Sequence, residues 1–281
     1  MITRRHFLRS SIAAVTAAAI SPDHFLPAEG SRLKHFGFIS GIIDKELKGD
    51  WKTVLKQAAG FGYSEIETGG YLGDSARSFL DFCKGIGLRP VAGGLNFNAG
   101  DDEVNKGIAL IKELEIDYAV VYWPWYTGGP FSLEDCKKSA ERLNYLGKIC
   151  RSNDLVFCWH NHNKEFTLME KGMPFDYLMV NTDRDLVKCE LDLYWVKKGG
   201  ADPLSVMKKY PGRFAILHVK DMAPGPDMDF ECPGSGIMDF RPLFREAENQ
   251  GIKHFMVERD NVPDGMACLK SAAEYLSNVT F

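Results

Sequence analysis

From residue 33 onward, short apolar runs alternate with longer stretches in which apolar residues recur every three or four positions. Residues 34–39 (KHFGFI) predict a first strand, and 50–61 an amphipathic helix with Trp51, Val54, Leu55 and Ala58 on one face. Strands at 63–67, 88–92 and 117–122 follow, separated by helices at 75–86 and 102–114, and then a long helix spans 132–152. The second half keeps the rhythm, with strands at 155–159, 186–191, 214–219 and 254–257 and helices at 174–181, 202–209, 240–249 and 264–277. Turn and cap residues sit where the pattern changes: Gly87 closes one helix, and Ser132 with Asp135 three residues on opens another. Eight strand–helix units in about 250 residues predict a single-domain (β/α)8 barrel over 32–281. A doubly wound sheet is the alternative, but no glycine-rich dinucleotide fingerprint follows the first strand.

The start of the chain breaks this pattern. Thr3-Arg4-Arg5-His6-Phe7-Leu8-Arg9 is a twin-arginine block, followed by an apolar run at 11–20 and a polar tail with prolines. That order resembles a Tat export signal over 1–28 and predicts a periplasmic protein. Without it, 31 basic residues face 37 acidic ones, a net charge of −6. An acidic balance argues against nucleic acid as a partner. No apolar run is long enough for stable membrane insertion. The seven cysteines are scattered and never form a C-x-x-C pair, so they are not a disulfide framework and most read as small apolar fillers.

In a barrel of this kind chemistry gathers at the C-terminal ends of the strands. Those ends carry Glu67, His160, His162, Asp192, His218, Lys220 and Glu258. The stretch W-H-N-H-N-K-E-F at 159–166 places His160 and His162 on one side of its strand and Asn161 on the other. His160, Asp192, His218 and Glu258 are the residue types that hold a divalent metal. Two imidazoles and two carboxylates suit manganese first, with cobalt, zinc, iron or magnesium as alternatives to it, better than calcium. Each has a plainer reading as well: Asp192 as a turn cap, His218 as a core histidine, Glu258 as a partner of Arg259, and Lys220 as a partner of Glu190 inside the barrel.

Taken with residues 63–67 (YSEIE), 160–166 (HNHNKEF), 190–192 (ELD), 218–221 (HVKD), 234–240 (GSGIMDF) and 257–258, the chain resembles the xylose-isomerase-like barrels known as sugar phosphate isomerases/epimerases. The resemblance implies a metal-dependent isomerase or epimerase acting on a sugar or keto-sugar through an enediolate-like intermediate. It also implies metal ligands at Asp192, His218 and Glu258. Strand five departs from the epimerase pattern: His160 stands where a glutamate is usual, and Trp195 stands where a histidine often follows the strand-six aspartate. The fourth ligand is then His160, or Glu165 reaching back from its loop. On this reading Glu258, His162 and Lys220 move protons, while Glu67, Trp123, Glu165 and Tyr194 contact the sugar. β-Elimination on a keto-sugar and a non-catalytic carbohydrate-binding barrel are the alternatives, and a homo-oligomer is left open. The export reading is tested by changing Arg4 and Arg5 together to Lys, which should leave the precursor in the cytoplasm on cell fractionation. Periplasmic recovery of that variant would refute it.

Overall fold

The computed structural model describes residues 30–281, so the export signal expected at 1–28 lies outside the described residues. Eight parallel strands close into a barrel in chain order: β1 Gly37–Ile39, β2 Glu65–Thr68, β3 Arg89–Gly94, β4 Tyr118–Val121, β5 Val156–His160, β6 Val187–Asp192, β7 Phe214–Val219 and β10 His254–Val257. The remaining strands, β8 (Asp221–Met222) and β9 (Phe230–Glu231), form a small antiparallel hairpin in the loop after β7. Helices follow the barrel strands as the periodicity implies, among them Leu133–Arg151 and Gly265–Asn278. Asp50, Ser75, Ser132, Asp202 and Asp264 each cap a helix by accepting the N–H three residues on. One further helix, Leu193–Lys198, begins directly at the end of β6, where no break between strand and helix was legible.

Strand alternation sorts side chains into an outer apolar layer under the helices and a narrow lumen. Val120, Cys158, Ile216 and Met256 form part of a small apolar cluster inside the barrel. Two residues further along the same strands stand Tyr122, His160, His218 and Glu258, so the apolar cluster is the floor of a polar mouth. Register carries the argument across strands: His160 lies opposite Glu190, and Asp192 opposite His218. Below the floor, Glu65 pairs with His254 at 2.9 Å and Arg89 at 3.5 Å, closing the N-terminal end.

The loop between β7 and Arg241–Gln250 is tied down at several points. Asp221, fully buried, accepts backbone N–H groups from Met222 (2.7 Å), Gly234, Gly236 and Met238 (3.0 Å each). Gly236 lies so close that a Cβ there would collide with the Met222 carbonyl and the Asp221 carboxylate, so the close approach requires glycine. On the outside, Cys232 is disulfide-bonded to Cys268 on the last helix, with Cα atoms 5.6 Å apart. That corrects the reading of these two cysteines as fillers: the loop returns over the helix only in three dimensions, 36 residues apart in sequence. Cys83, Cys136, Cys150, Cys158 and Cys189 are free and buried, as fillers are.

Asp221→Asn keeps the shape but turns an NH₂ toward two of the four N–H groups. It should cost about 2–3 kcal/mol, since unsatisfied buried donors carry penalties of that order, and should make residues 223–238 the first site of proteolysis. A variant as stable and protease-resistant as the parent would show that the loop does not depend on this carboxylate.

Candidate metal centre

The mouth is built from residues that each do two things. Asp192 ends β6 and caps the helix that follows, its Oδ1 accepting the Trp195 N–H at 2.8 Å. That bond fixes the carboxylate and leaves Oδ2 buried without a hydrogen bond. Nearest to it are the Lys220 ammonium, with Nζ at 3.2 Å, and the His160 imidazole, with Nε2 at 3.7 Å. Asn161, which points away from the lumen, ties the ends of β5 and β6 together. Its amide oxygen accepts the Asp192 N–H at 2.9 Å and its NH₂ donates to the Asp192 carbonyl at 3.3 Å.

Each lumen histidine has one nitrogen held by a buried glutamate. His160 Nδ1 lies 3.0 Å from Glu190 Oε2, which aims Nε2 toward Asp192. His218 Nε2 lies 2.9 Å from Glu67 Oε2, which aims Nδ1 at Glu258 Oε2, 2.7 Å away. Glu67 is itself fixed by the Tyr122 hydroxyl, which donates to it at 2.6 Å. Carboxylates behind imidazoles are the usual way of orienting histidine ligands and raising their basicity. The result is one ligand atom from each of His160, Asp192, His218 and Glu258, all within 4.8 Å of one another.

Electrostatics follow from burial and pairing. His160 is held well below the ordinary histidine range by burial and by His218 and His162 beside it, so its imidazole is neutral. Burial pushes Asp192 up to about 6, with Lys220 opposing the shift. Burial and the neighbouring Glu67 carboxylate push Glu190 up to about 8. Burial works to raise Glu258, but Lys220 and His218 outweigh it and hold the carboxyl well below its usual range. Burial likewise opposes the charge on His218, yet Glu190, Glu67 and Glu258 keep it well above an ordinary histidine. A buried Asp192 Oδ2 with no hydrogen bond, two glutamate-backed imidazoles and an ionised Glu258 fit a divalent cation with mixed nitrogen and oxygen ligands. Carboxylates usual in such sites are replaced at β5 by His160.

Other expected positions fall differently. Glu165 does not reach back to the four-residue cluster, and it is not exposed to a substrate. It is buried, accepting Trp125 Nε1–H at 2.8 Å and the His162 N–H at 3.1 Å, so it fixes the loop after β5. Glu67 is fully buried beneath the cluster, where His218 and Tyr122 occupy both of its oxygens, and offers a sugar no contact. Tyr194 is buried too, its hydroxyl donating to the Met228 carbonyl at 2.6 Å. Trp123 does lie at the mouth: its ring and that of Trp195 stand 5.2 and 5.4 Å from His162. His162 Nδ1 is buried without a partner, and burial, helped by Lys220, pulls the imidazole down to about 4. Lys220 does not pair with Glu190; it contacts Asp260 (2.7 Å), Glu258 (3.1 Å) and Asp192 (3.2 Å). Asp260, Tyr122 and Asn161 contribute to the site without a signal in the strand-end pattern, and Glu190, expected only as a partner of Lys220, backs His160 instead. Of these, only Glu190 was within reach of that pattern, by standing two residues before Asp192 on the same face.

A family profile described as xylose isomerase-like TIM barrel matches residues 55–278. The chain belongs to this family. Among solved structures it is similar to a sugar phosphate isomerase/epimerase from Parabacteroides distasonis ATCC 8503, with a TM-score of 0.74 and 25% identity over 88% of this chain and 94% of that one. The zinc-bound IOLI protein shares the fold, with a TM-score of 0.69 and 17% identity over 88% and 99% of the two chains. Inosose dehydratase from Klebsiella pneumoniae (strain 342) is 30% identical over 146 residues, 45% of this chain and 48% of that protein. The chain thus spans about half the length of the curated relatives it matches.

Metal analysis of the purified protein checks the cluster. His160→Ala, Asp192→Ala and His218→Ala should each strip the metal, whereas Glu165→Ala should keep it. Glu67→Ala and Glu190→Ala should weaken metal affinity by about 10–100-fold. Affinity should rise with pH, because Asp192, at about 6, and the proton on His218 must both be given up for binding. Loss of metal in Glu165→Ala with retention in His160→Ala would reverse the assignment at β5.

Proposed function

We propose that this barrel removes a proton α to the carbonyl of a polyhydroxylated ketone, a sugar or keto-sugar, with a divalent metal held by His160, Asp192, His218 and Glu258. The observation that carries the reading is the convergence of those four side chains beside the charged Lys220. When bound, the ion would polarise the carbonyl and stabilise negative charge developing on its oxygen.

The chain's own residues divide the remaining work. Glu258 is ionised and is the least buried of the four, its side chain 17% exposed, so it is the base that meets the substrate. Lys220 is a protonated neighbour, held well above the ordinary lysine range because Asp192, Glu258 and Asp260 overcome its burial. It is placed to protonate, or to balance, an oxygen of the enediolate. His162, neutral at pH 7, is suited to accept a hydrogen bond from a substrate hydroxyl rather than to donate a proton as an imidazolium. This divides the acid–base roles that strand-end inspection shared between His162 and Lys220. Manganese is the first choice for the ion, with cobalt, magnesium and zinc behind it. The IOLI protein, which shares the fold, binds a zinc atom, and that supports a divalent ion here.

Returning the proton to a neighbouring carbon gives isomerisation, and returning it to the other face gives epimerisation. A second outcome, elimination of a β-hydroxyl as water, is supported by the inosose dehydratase relatives. It is also supported by Trp195, which offers no acid or base where an epimerase often has histidine. The same proposal puts this chemistry in the periplasm, with the twin-arginine block at Arg4 and Arg5 as its support.

Incubation of the metal-loaded protein with ketoses and 3-keto-sugars in D₂O should give deuterium at the α-carbon. An enone absorbance appearing with it would mark elimination, and its absence would mark isomerisation or epimerisation. Lys220→Ala should keep the metal and slow exchange by about 10²-fold or more, the usual worth of a positioned acid or base. A fully metal-loaded protein that exchanges no proton on any of these ketones would instead be a carbohydrate-binding barrel.

A further inference from the structure

The candidate metal centre is closed on most sides. His160 is 3% exposed, and Asp192, His218 and Lys220 are wholly buried. Lys220 Nζ lies 5.0 Å from the centre of the Trp195 ring and 5.6 Å from that of Phe230, so aromatic rings cover it on the β6–β7 side. The open side is that of Glu258 and Asp260, which line a cavity of about 350 Å³ whose far wall carries Asp44, Lys45 and Glu46. A second cavity of about 390 Å³ adjoins it, sharing Gly41 and Asp44 and reaching Thr68, Gly70 and Tyr71. Tyr71 is 43% exposed there, a flat face of the kind that sugar rings stack upon. Together the two cavities exceed what a single ring needs and fall within the range of small-molecule sites.

The charge of this cleft is telling. Asp44, Glu46, Glu258 and Asp260 face three cations, Lys45, Lys48 and Arg259, of which Lys48 lies 3.2 Å from Asp44 and Arg259 is taken up by Glu231 at 2.7 Å. Lys220 is likewise committed to three carboxylates. A phosphate dianion entering here would meet four carboxylates and one uncommitted lysine, whereas hydroxyl groups find acceptors throughout.

We infer that the cleft running from Glu258 to Tyr71 is a subsite for a second, uncharged sugar unit, so that the substrate is a neutral glycoside or disaccharide rather than a sugar phosphate. The inference rests on the α-proton chemistry proposed above. Its test compares deuterium exchange on 3-ketoglucose, 3-ketomaltose and 3-ketoglucose 6-phosphate. The disaccharide should exceed the monosaccharide in kcat/KM by about 10-fold, the order of an added aromatic contact with its hydrogen bonds, and the phosphate should fall below both. Tyr71→Ala and Asp44→Ala should each drive the disaccharide-to-monosaccharide ratio toward one. A ratio near one in the parent protein, or a preference for the phosphate, would overturn the subsite while leaving the proton chemistry standing. If no probe exchanges, the proposed reaction fails and saturation-transfer NMR decides the cleft. Saturation of maltose that is lost in Tyr71→Ala would uphold it, and no saturation of maltose would overturn it.

Discussion

A barrel interior has little water with which to solvate charge, so every ionised group in this mouth depends on a partner of opposite sign or on hydrogen bonds. Glu67, Glu190, Asp192, Glu258 and Asp260 face one lysine and two imidazoles. The structure resolves this by sharing. Lys220 serves three carboxylates, His218 lies against Glu67, Glu190 and Glu258, and Glu190 rises toward the neutral form. Even so, one oxygen of Asp192 accepts no hydrogen bond, and one of Glu190 has none either. A mouth richer in acids than in bases, with buried carboxylate oxygens that accept no hydrogen bond, suits a divalent cation. Much of the local architecture follows from keeping these groups aligned: the Asn161 tie between β5 and β6, the Asp192 cap and the Tyr122 hydroxyl on Glu67.

How much of this is legible in the chain depends on whether a feature is local. The strands and helices are, because alternation, helical periodicity and capping residues act within a few positions. Residues 254–257 emerge as β10 with the same bounds, and five of the capping residues do what their type implies. The four strand-end residues are also local signals, given that a closed barrel brings strand ends together. Partners across the barrel are not. Glu67 and His218 meet across 151 residues and His254 and Glu65 across 189, and nothing near either residue announces the other. Register shifts of one residue within β2–β3 and β6–β7 are equally silent in sequence, yet they set which carboxylate backs which histidine.

Aromatic residues show the same divide. Trp123 and Trp125, two residues apart after β4, end in different surroundings. Trp125 stacks on Phe131 with ring centres 3.8 Å apart and anchors Glu165, while Trp123 stands at the mouth beside His162. Glu165 shows why a carboxylate near a metal cluster need not join it. Its backbone lies in the 3-10 turn Asn163–Phe166, and its carboxylate turns back to the His162 N–H and to Trp125. By fixing that turn it fixes His162, so its influence on the site passes through the loop rather than through a ligand bond.

His160 changes the chemistry expected at β5. A glutamate there would add a further acid to Asp192, Glu67, Glu190 and Glu258, in a region where Glu190 already carries a raised pKa. An imidazole supplies a neutral ligand atom and needs only a hydrogen-bond partner, which Glu190 provides at 3.0 Å. The substitution therefore lowers the negative charge that a bound cation would have to balance and leaves Glu258 as the more exposed of the two carboxylates in the cluster. Glu258 is also the one beside the open cleft. With Lys220 pressing on its oxygen from within and the cleft in front, the base, its counter-charge and the path of entry lie along one line. On the proposed reaction, a site so arranged would act on one face of its substrate. That suits abstraction followed by loss of a hydroxyl, or by proton return on the same side, better than exchange between two opposed bases.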